Sequence, residues 1–365
     1  MNYNMKSDCF ITLFCIELFL VLTFLFFFSN NKRYKKVWNF YLVIAFGILF
    51  FFHIFKETSS LPDLPSYMME FNELRKNTYS YIFTHGISAG KSENGWCVFC
   101  KTIQLFVPYG FAVIFVNSFV ILSGYFYAIK KYSPFFWAST LFVLTGPYAQ
   151  SLFVLRQHMA MAMVLFTYPY IINKKIVPYL LTIGLAFTMH QTAIIFLPIY
   201  FVYHYRGNIK KLAVFAICFG LFVNKVVLKL VGDVVASLSL VGYDSYLESD
   251  EETNWKMGAY LILVLFCRLF IMKSKSIEWG INRLLTILLG MGCFIETLGY
   301  GLAFTSRLNM YFSSLLFLYI PQTSIYIKNY YLKYGFLLIF ILFDMYMWFN
   351  SSNMNHRFYT LIFNI

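Results

Sequence analysis

Charge is what this sequence has least of. Asp, Glu, Lys and Arg make up 12% of its 365 residues, whereas hydrophobic residues make up 60%. A soluble domain usually carries about a quarter charged residues. With so few charges, a chain of this length cannot cover a globular core with a hydrated surface, so most of it must lie in lipid. The scarcity excludes a soluble domain of any size and predicts an all-α, polytopic transmembrane helical bundle.

Acidic residues are scarcer than basic ones, 16 against 29, which gives a net charge of +13. In a soluble protein this excess would suggest nucleic acid as a partner. Here the Lys and Arg residues fall in short loops between apolar runs. We therefore interpret them as signals of membrane topology and expect no nucleic-acid partner.

The sequence also lacks any metal-ligand array, so we expect no metal and no cofactor. Cys97 and Cys100 form a C-x-x-C in a predicted outer loop, where a disulfide is the alternative to two free thiols. The other five of the seven cysteines lie in or beside apolar segments and are interpreted as small core residues. No internal repeat or low-complexity linker is visible, which predicts a single integral membrane domain over residues 1–365.

Apolar runs predict about ten membrane spans. A helix needs about 18 or more apolar residues to cross a bilayer. The candidate runs are Cys9–Phe28, Val37–Phe55, Thr102–Ile129, Pro134–Phe153, His158–Ile172, Leu212–Val231, Met257–Met272, Ile281–Leu302, Leu308–Ile327 and Tyr331–Phe349.

The segment Ile176–Tyr205 does not fit a single crossing. It is apolar but carries polar residues at its middle, including His190, and basic residues flank it on both sides (Lys174 and Lys175 before, Arg206 after). The positive-inside rule puts both flanks in the cytoplasm. We therefore predict a broken or re-entrant helical hairpin that turns around His190 and is buried in protein or lines a wet cavity.

With that hairpin, the loops alternate consistently. The loops 56–101 and 232–256 fall outside, the second of them acidic, and both termini fall on the outer face. The basic residues predicted to be cytoplasmic are Lys32, Arg33, Lys35, Lys36, Lys130, Lys131, Lys174, Lys175, Arg206, Lys210, Lys211, Lys273 and Lys275.

Five ionisable residues come to lie at or near the outer face in this topology. They are Asp63, Glu93, Arg156, His190 and Arg307. Ionisable groups at membrane depth are costly and usually mark a site or a pathway.

Two arginines suit the binding of phosphate. Arg156 is followed by Gln157 at the outer start of a span, and Arg307 shares a helical face with Tyr311. A guanidinium binds phosphate or carboxylate with two parallel hydrogen bonds. The alternative is an arginine that reaches lipid headgroups at the interface.

Three residues could act as a general base. His190 carries an imidazole, a group that can relay protons, and Asp63 and Glu93 carry carboxylates in the long outer loop. The alternatives are a core histidine whose hydrogen bonds are satisfied, and carboxylates that are solvated or cap helices.

Five segments together resemble motifs of the EpsG family of polysaccharide polymerases. Arg156–Ala160 is similar to its R-Q-x-x-A motif, and Phe187–Ala193 resembles F-x-H-x-(S/T)-A with one extra residue between Phe and His. Arg307–Phe312 resembles R-x-x-x-Y-F. Asp63–Tyr67 and Glu93–Trp96 are similar to D-x-x-x-Y and E-x-G-(Y/W). The resemblance covers residues 60 to 325 approximately.

The resemblance implies a Wzy-type glycosyltransferase of the bacterial inner membrane. Such an enzyme joins oligosaccharide repeat units carried on undecaprenyl diphosphate into O antigen, capsule or exopolysaccharide at the outer face. The implied partners are a lipid-linked donor and acceptor and a chain-length regulator. The catalytic residues would be His190, Asp63 and Glu93, and the diphosphate would bind Arg156, Gln157, Arg307 and Tyr311, with no metal required.

Two other functions remain open from the sequence. A transporter, such as a flippase for the lipid-linked unit, also uses broken helices. A transferase that adds one sugar from a polyprenyl-phosphate donor is the second alternative.

Overall fold

The computed structural model describes residues 9–27, 35–57, 59, 61, 63–85, 93–222, 255–277, 279–298 and 303–349. Within these ranges the chain is helical and forms no β-strand, as predicted. Contacts divide the chain into two compact units, and the single domain over residues 1–365 stays a prediction. The first unit comprises Met1–Thr167, Leu181–Ala193 and Ile341–Ile365, and the second comprises Tyr168–Leu180 and Ile194–Phe340.

Nine helices described before residue 167 belong to the first unit. They are α1 (Cys9–Phe27), α2 (Lys35–Ile54), α3 (Leu64–Glu73), α4 (Tyr79–His85), α5 (Asn94–Phe106), α6 (Gly110–Tyr132), α7 (Phe136–Val143), α8 (Ala149–Ser151) and α9 (Leu155–Leu165).

The described helices that follow supply the second unit, and α11 and α19 contribute residues to both units. They are α10 (Tyr168–Ile172), α11 (Ile176–Met189), α12 (Ile199–His204), α13 (Ile209–Phe222), α14 (Trp255–Ile271), α15 (Ser274–Ile277), α16 (Gly280–Leu298), α17 (Ala303–Ser313), α18 (Leu316–Ser324) and α19 (Tyr330–Phe349).

Four of the described helices are long and apolar enough to cross a membrane. They are Lys36–Ile54, Gly110–Tyr132, Gly280–Leu298 and Tyr330–Met347. Large apolar side chains also face outward, and that of Phe26 in α1 is 85% exposed. Such surfaces are costly in water but not in lipid tails. The chain is therefore a helical integral membrane protein, and the count of ten spans stays a prediction.

Prolines interrupt two of the predicted spans. The span Thr102–Ile129 is wrong at its start, because Pro108 disfavours helical backbone in the residue before it and α6 begins only at Gly110. The span Pro134–Phe153 contains a π-helical turn around Pro147. A proline has no N–H to donate to the preceding turn, so the helix widens there.

Two other predicted spans are each divided into two shorter helices. The predicted span His158–Ile172 covers most of α9 and all of α10, and Pro169 lies at the start of α10. Leu308–Ile327 is interrupted after Ser313 and Ser314, whose hydroxyls compete for backbone hydrogen bonds and weaken a helix. Residues 223–231 of the predicted span Leu212–Val231 and residues 232–254 of the acidic outer loop lie outside the described residues. The predicted loop 232–256 is too long at its end, because α14 begins at Trp255.

The break predicted at His190 is confirmed. Helix α11 ends there, and a 3₁₀ turn, Gln191–Phe196, leads into α12. The hydroxyl of Tyr179 donates to the carbonyl of Phe196, and the Tyr179 ring lies 5.3 Å from that of Tyr200. A continuous helix would separate Tyr179 and Phe196 by roughly 25 Å. The chain therefore reverses direction between them and forms a hairpin.

Candidate functional site

Glu93 is the centre of a cluster of polar side chains in the first unit. It directly precedes α5, where its carbonyl accepts from the N–H of Cys97, but its carboxylate does not cap the helix. Oε2 instead accepts from Nη1 of Arg156 at 2.6 Å. Oε1 accepts from Nδ1 of His190 at 2.8 Å and from the backbone N–H of Gln191 at 3.1 Å. One carboxylate thus joins three segments that are far apart in sequence.

Arg156 is held by an ion pair and by an aromatic ring. It is the second residue of α9, and its guanidinium carbon lies 5.5 Å from the centre of the Tyr67 ring on α3. The Tyr67 ring in turn lies 5.6 Å from the ring of Trp96, which is buried. A cation over an aromatic face is stabilised by the ring electrons. The Arg156 side chain is 20% exposed, so it is oriented and still accessible to a ligand.

His190 presents one ring nitrogen that the cluster does not use. Its backbone N–H still donates to the carbonyl of Ala186, and the chain then changes to the 3₁₀ turn. An ionised Glu93 accepts from Nδ1, so Nδ1 carries the proton and Nε2 has the lone pair. Among the described residues, Nε2 is buried and has no hydrogen-bond partner. This is the arrangement that a general base requires.

The electrostatics of the cluster keep Glu93 ionised. Burial raises its pKa, but the hydrogen bond from His190 and the positive charge of Arg156 outweigh burial, so the pKa lies below its ordinary value of 4.5. A carboxylate in this state accepts hydrogen bonds and binds protons poorly. Its geometry therefore fits the orientation of His190 better than the role of base that the sequence also allowed for it.

Gly95 sets the distance between α5 and the hairpin. A Cβ built on Gly95 overlaps the side chain and the carbonyl oxygen of Thr188, near the end of α11. Only a glycine allows this close approach, and the approach brings Glu93 within reach of His190.

We expect Gly95→Ala to lower the stability of the protein. The extra methyl group must displace Thr188, at a cost of about 1–3 kcal/mol. Thermal unfolding of the purified protein measures the effect. Gly184→Ala is the matched control, because a Cβ there meets nothing within 4 Å and alanine favours the helix. Equal melting temperatures for the two variants would contradict the role of Gly95.

Asp63 and Gln157, two further predicted site residues, lie in the same unit. Asp63 precedes α3, and its carbonyl oxygen accepts from the hydroxyl of Ser66 at 2.8 Å and the N–H of Tyr67 at 3.2 Å. No contact among the described residues brings its carboxylate to Glu93. Gln157 is fully buried in α9. The structure therefore assembles Glu93, Arg156 and His190, while the roles of Asp63 and Gln157 stay predictions.

Arg307 and Tyr311 belong to the second unit, on α17. The Tyr311 ring is buried and lies 5.8 Å from the ring of Phe196, and Phe312 stacks on the same ring at 5.5 Å. Tyr311 thus contributes to the packing of α17 on the 3₁₀ turn. Arg307 is partly exposed. Binding of a diphosphate by these two residues stays a prediction.

The first unit also contains a buried basic cluster that was not predicted from the sequence. His53 lies 2.6 Å from the hydroxyl of Ser118 and 3.0 Å from that of Ser151. Lys56 Nζ lies 3.3 Å from His53, both side chains are inaccessible to solvent, and burial holds the pKa of Lys56 well below its usual range. A His and a Lys at the end of an apolar run could have indicated this cluster, because ionisable groups at membrane depth usually mark a site.

The described residues contain no group of three or more His, Cys, Asp or Glu side chains that could hold a metal ion. Cys97 and Cys100 are both buried, one turn apart on α5, and no disulfide joins them in the described part of the chain.

The residues of the Glu93 cluster fall within the part of the chain that a family model recognises. The model of the EpsG family matches residues 60–364, which include Tyr67, Glu93, Arg156 and His190. No curated protein and no solved structure matches the chain. The matched range is most of the sequence, and the chain belongs to the EpsG family, whose members are similar to Wzy-type polysaccharide polymerases.

Proposed function

We propose that this protein polymerises oligosaccharide repeat units linked to undecaprenyl diphosphate, at the outer face of the bacterial inner membrane. The observation that supports this most is the bridge that Glu93 makes between Arg156 and His190. The bridge joins a guanidinium, which suits phosphate, and an imidazole, which suits a general base, through one carboxylate. Family membership supports the substrate class.

In the proposed reaction, Nε2 of His190 takes the proton from a sugar hydroxyl of the incoming unit. The resulting oxygen attacks the anomeric carbon of the growing chain, whose bond to the diphosphate oxygen breaks. Undecaprenyl diphosphate leaves with the bonding electrons, and Arg156 stabilises its negative charge. Glu93 stabilises the imidazolium that forms. The diphosphate is already an activated leaving group, so we propose a reaction that needs no metal.

A transporter is the second candidate function, because the broken hairpin at His190 is also typical of transport sites. A transporter would need no general base, whereas the unpartnered Nε2 of His190 favours that role. A transferase that adds a single sugar would be distinguished by its product. The glycan would be longer by one sugar residue, and no ladder of polymer sizes would form.

Deletion of the gene tests the proposal, in a strain where no other polymerase serves the same glycan. Surface glycan and lipid-linked intermediates are then separated by size. We expect the ladder of polymer sizes to disappear while single repeats still reach the outer leaflet. Repeats retained on the cytoplasmic leaflet would indicate a flippase instead, and an unchanged ladder would reject both functions.

Arg156→Lys is expected to reduce polymer formation by about tenfold. Lysine keeps the charge but loses the planar fork and the stacking on Tyr67. The yield of polymer in complemented cells, at equal protein in the membrane, measures the effect. Arg75→Lys makes the same exchange at an exposed position of the predicted outer loop 56–101 and should leave the ladder unchanged. Full activity of Arg156→Lys would show that the charge alone suffices.

A further inference from the structure

A second polar site lies in the second unit, where three loops enclose a cavity of about 900 Å³. Lys174 comes from the loop before α11, Arg206 from the connection between α12 and α13, Lys210 from the first turn of α13, and Trp279 from the loop before α16. The sequence predicts all three loops to be cytoplasmic. The volume is within the range of small-molecule sites, roughly 300–1,000 Å³.

The lining of this cavity is basic. Four of its side chains are cationic, namely Lys174, Arg206, Lys210 and Arg283, and none of its described lining residues is acidic. Cations gathered in a concave site attract anions more strongly than the same charges on a flat surface. A site of this composition favours a ligand with more than one negative oxygen.

Two of the four cations are fixed by backbone carbonyls. Lys210 Nζ donates to the carbonyls of Leu269 and Met272, both at 2.8 Å, at the end of α14. Arg283 Nε donates to the carbonyl of Tyr203 at 2.7 Å. The remaining two cations, Lys174 and Arg206, have exposed side chains, so a ligand can recruit them without breaking the fold.

An imidazole and an indole ring also line the cavity. His204 lines the cavity, and its Nε2 is buried and has no hydrogen-bond partner among the described residues. Trp279 is 69% exposed, and the guanidinium carbon of Arg283 lies 5.7 Å from its ring centre. Exposed tryptophans are enriched at the level of lipid headgroups.

We propose that this cavity binds the phosphate group of an anionic ligand, with Lys174, Arg206, Lys210 and Arg283 as its charge partners. Trp279 favours the headgroup of an anionic phospholipid over a free phosphate as the source. The site does not depend on the proposed polymerase activity, because its residues belong to other segments of the chain.

The test uses the full-length protein in a neutral detergent. Native mass spectrometry measures the binding of dioctanoyl phosphatidylglycerol, of dioctanoyl phosphatidylcholine and of inorganic phosphate. The variant carries Lys174→Gln and Arg206→Gln. The control carries Lys175→Gln and Lys211→Gln, which remove the same charge from the same two loops at exposed positions that do not line the cavity.

We expect the first double variant to bind phosphatidylglycerol about 30-fold more weakly, which is about 2 kcal/mol. The control should change by less than about threefold, and phosphatidylcholine should bind weakly to all forms. Loss of inorganic phosphate binding alone would support the site with a soluble source. Equal losses in both double variants would overturn the proposal, because general surface charge would then explain the binding. Unchanged binding of every probe to the first double variant would also overturn the proposal.

Discussion

Replacing Glu93 with glutamine is expected to reduce polymer formation on the order of 10³- to 10⁴-fold. The carboxylate accepts three hydrogen bonds, from Arg156, His190 and Gln191. A glutamine amide has one oxygen and one NH₂ group, so it cannot accept from both sides. Its NH₂ group must face either the guanidinium, which only donates, or the ring and backbone N–H groups.

The second orientation has a particular chemical consequence. An amide NH₂ next to Nδ1 of His190 forces that nitrogen to accept, and the proton moves to Nε2. The base would then carry a proton where it needs a lone pair. The ladder of surface glycan, compared at equal protein in the membrane, measures the loss.

Glu73→Gln is the matched control for this experiment. Glu73 is at the end of α3 in the same predicted loop, and its side chain caps no helix. We expect full polymer from it. A Glu93→Gln variant with a normal ladder would remove Glu93 from the mechanism and leave its ion pair as a structural contact.

His190→Asn is expected to reduce polymer formation by about 10²- to 10⁴-fold without unfolding the protein. The asparagine amide can still donate to Glu93 from the position of Nδ1, so the hairpin keeps its contact with α5. The position of Nε2 is left empty, and the acceptor hydroxyl has no base. Polymer yield and melting temperature are measured together.

Asp63→Asn provides the comparison for His190→Asn. The carboxylate of Asp63 takes no part in the described contacts of Glu93, so we expect a smaller loss of polymer. A complete loss in Asp63→Asn together with an active His190→Asn would reverse the assignment of the base. A strongly lowered melting temperature in His190→Asn would indicate instead that the histidine holds the hairpin together.

Several features of the site were predictable from the sequence because they depend on local patterns. Charge flanking the segment Ile176–Tyr205 predicted the hairpin, since one crossing cannot have both ends in the cytoplasm. Glu93, Arg156 and His190 were each singled out because ionisable groups near a membrane are rarely accidental. The structure confirms the hairpin and shows these three side chains in contact.

The pairing of these side chains was not predictable, because it depends on contacts between distant segments. Nothing local to Glu93 indicates that both carboxylate oxygens are occupied, or that Tyr67 lies over Arg156. The contact of Gly95 with Thr188 is of the same kind. By contrast, the start of α6 at Gly110 follows from a local rule, because Pro108 disfavours helical backbone in the residue before it. The apolar run around Pro108 suggested a continuous span instead.

The spacing of the Glu93 contacts also matters for how the protein is made. The partners of Glu93 follow it by 63 and 97 residues. At about 5–20 residues per second, a ribosome needs roughly 3 to 20 seconds to supply them. During that interval the carboxylate has neither its cation nor its histidine and must stay hydrated. A nascent chain released before the hairpin is inserted would therefore expose an unsatisfied acidic group, a feature that membrane quality control can recognise.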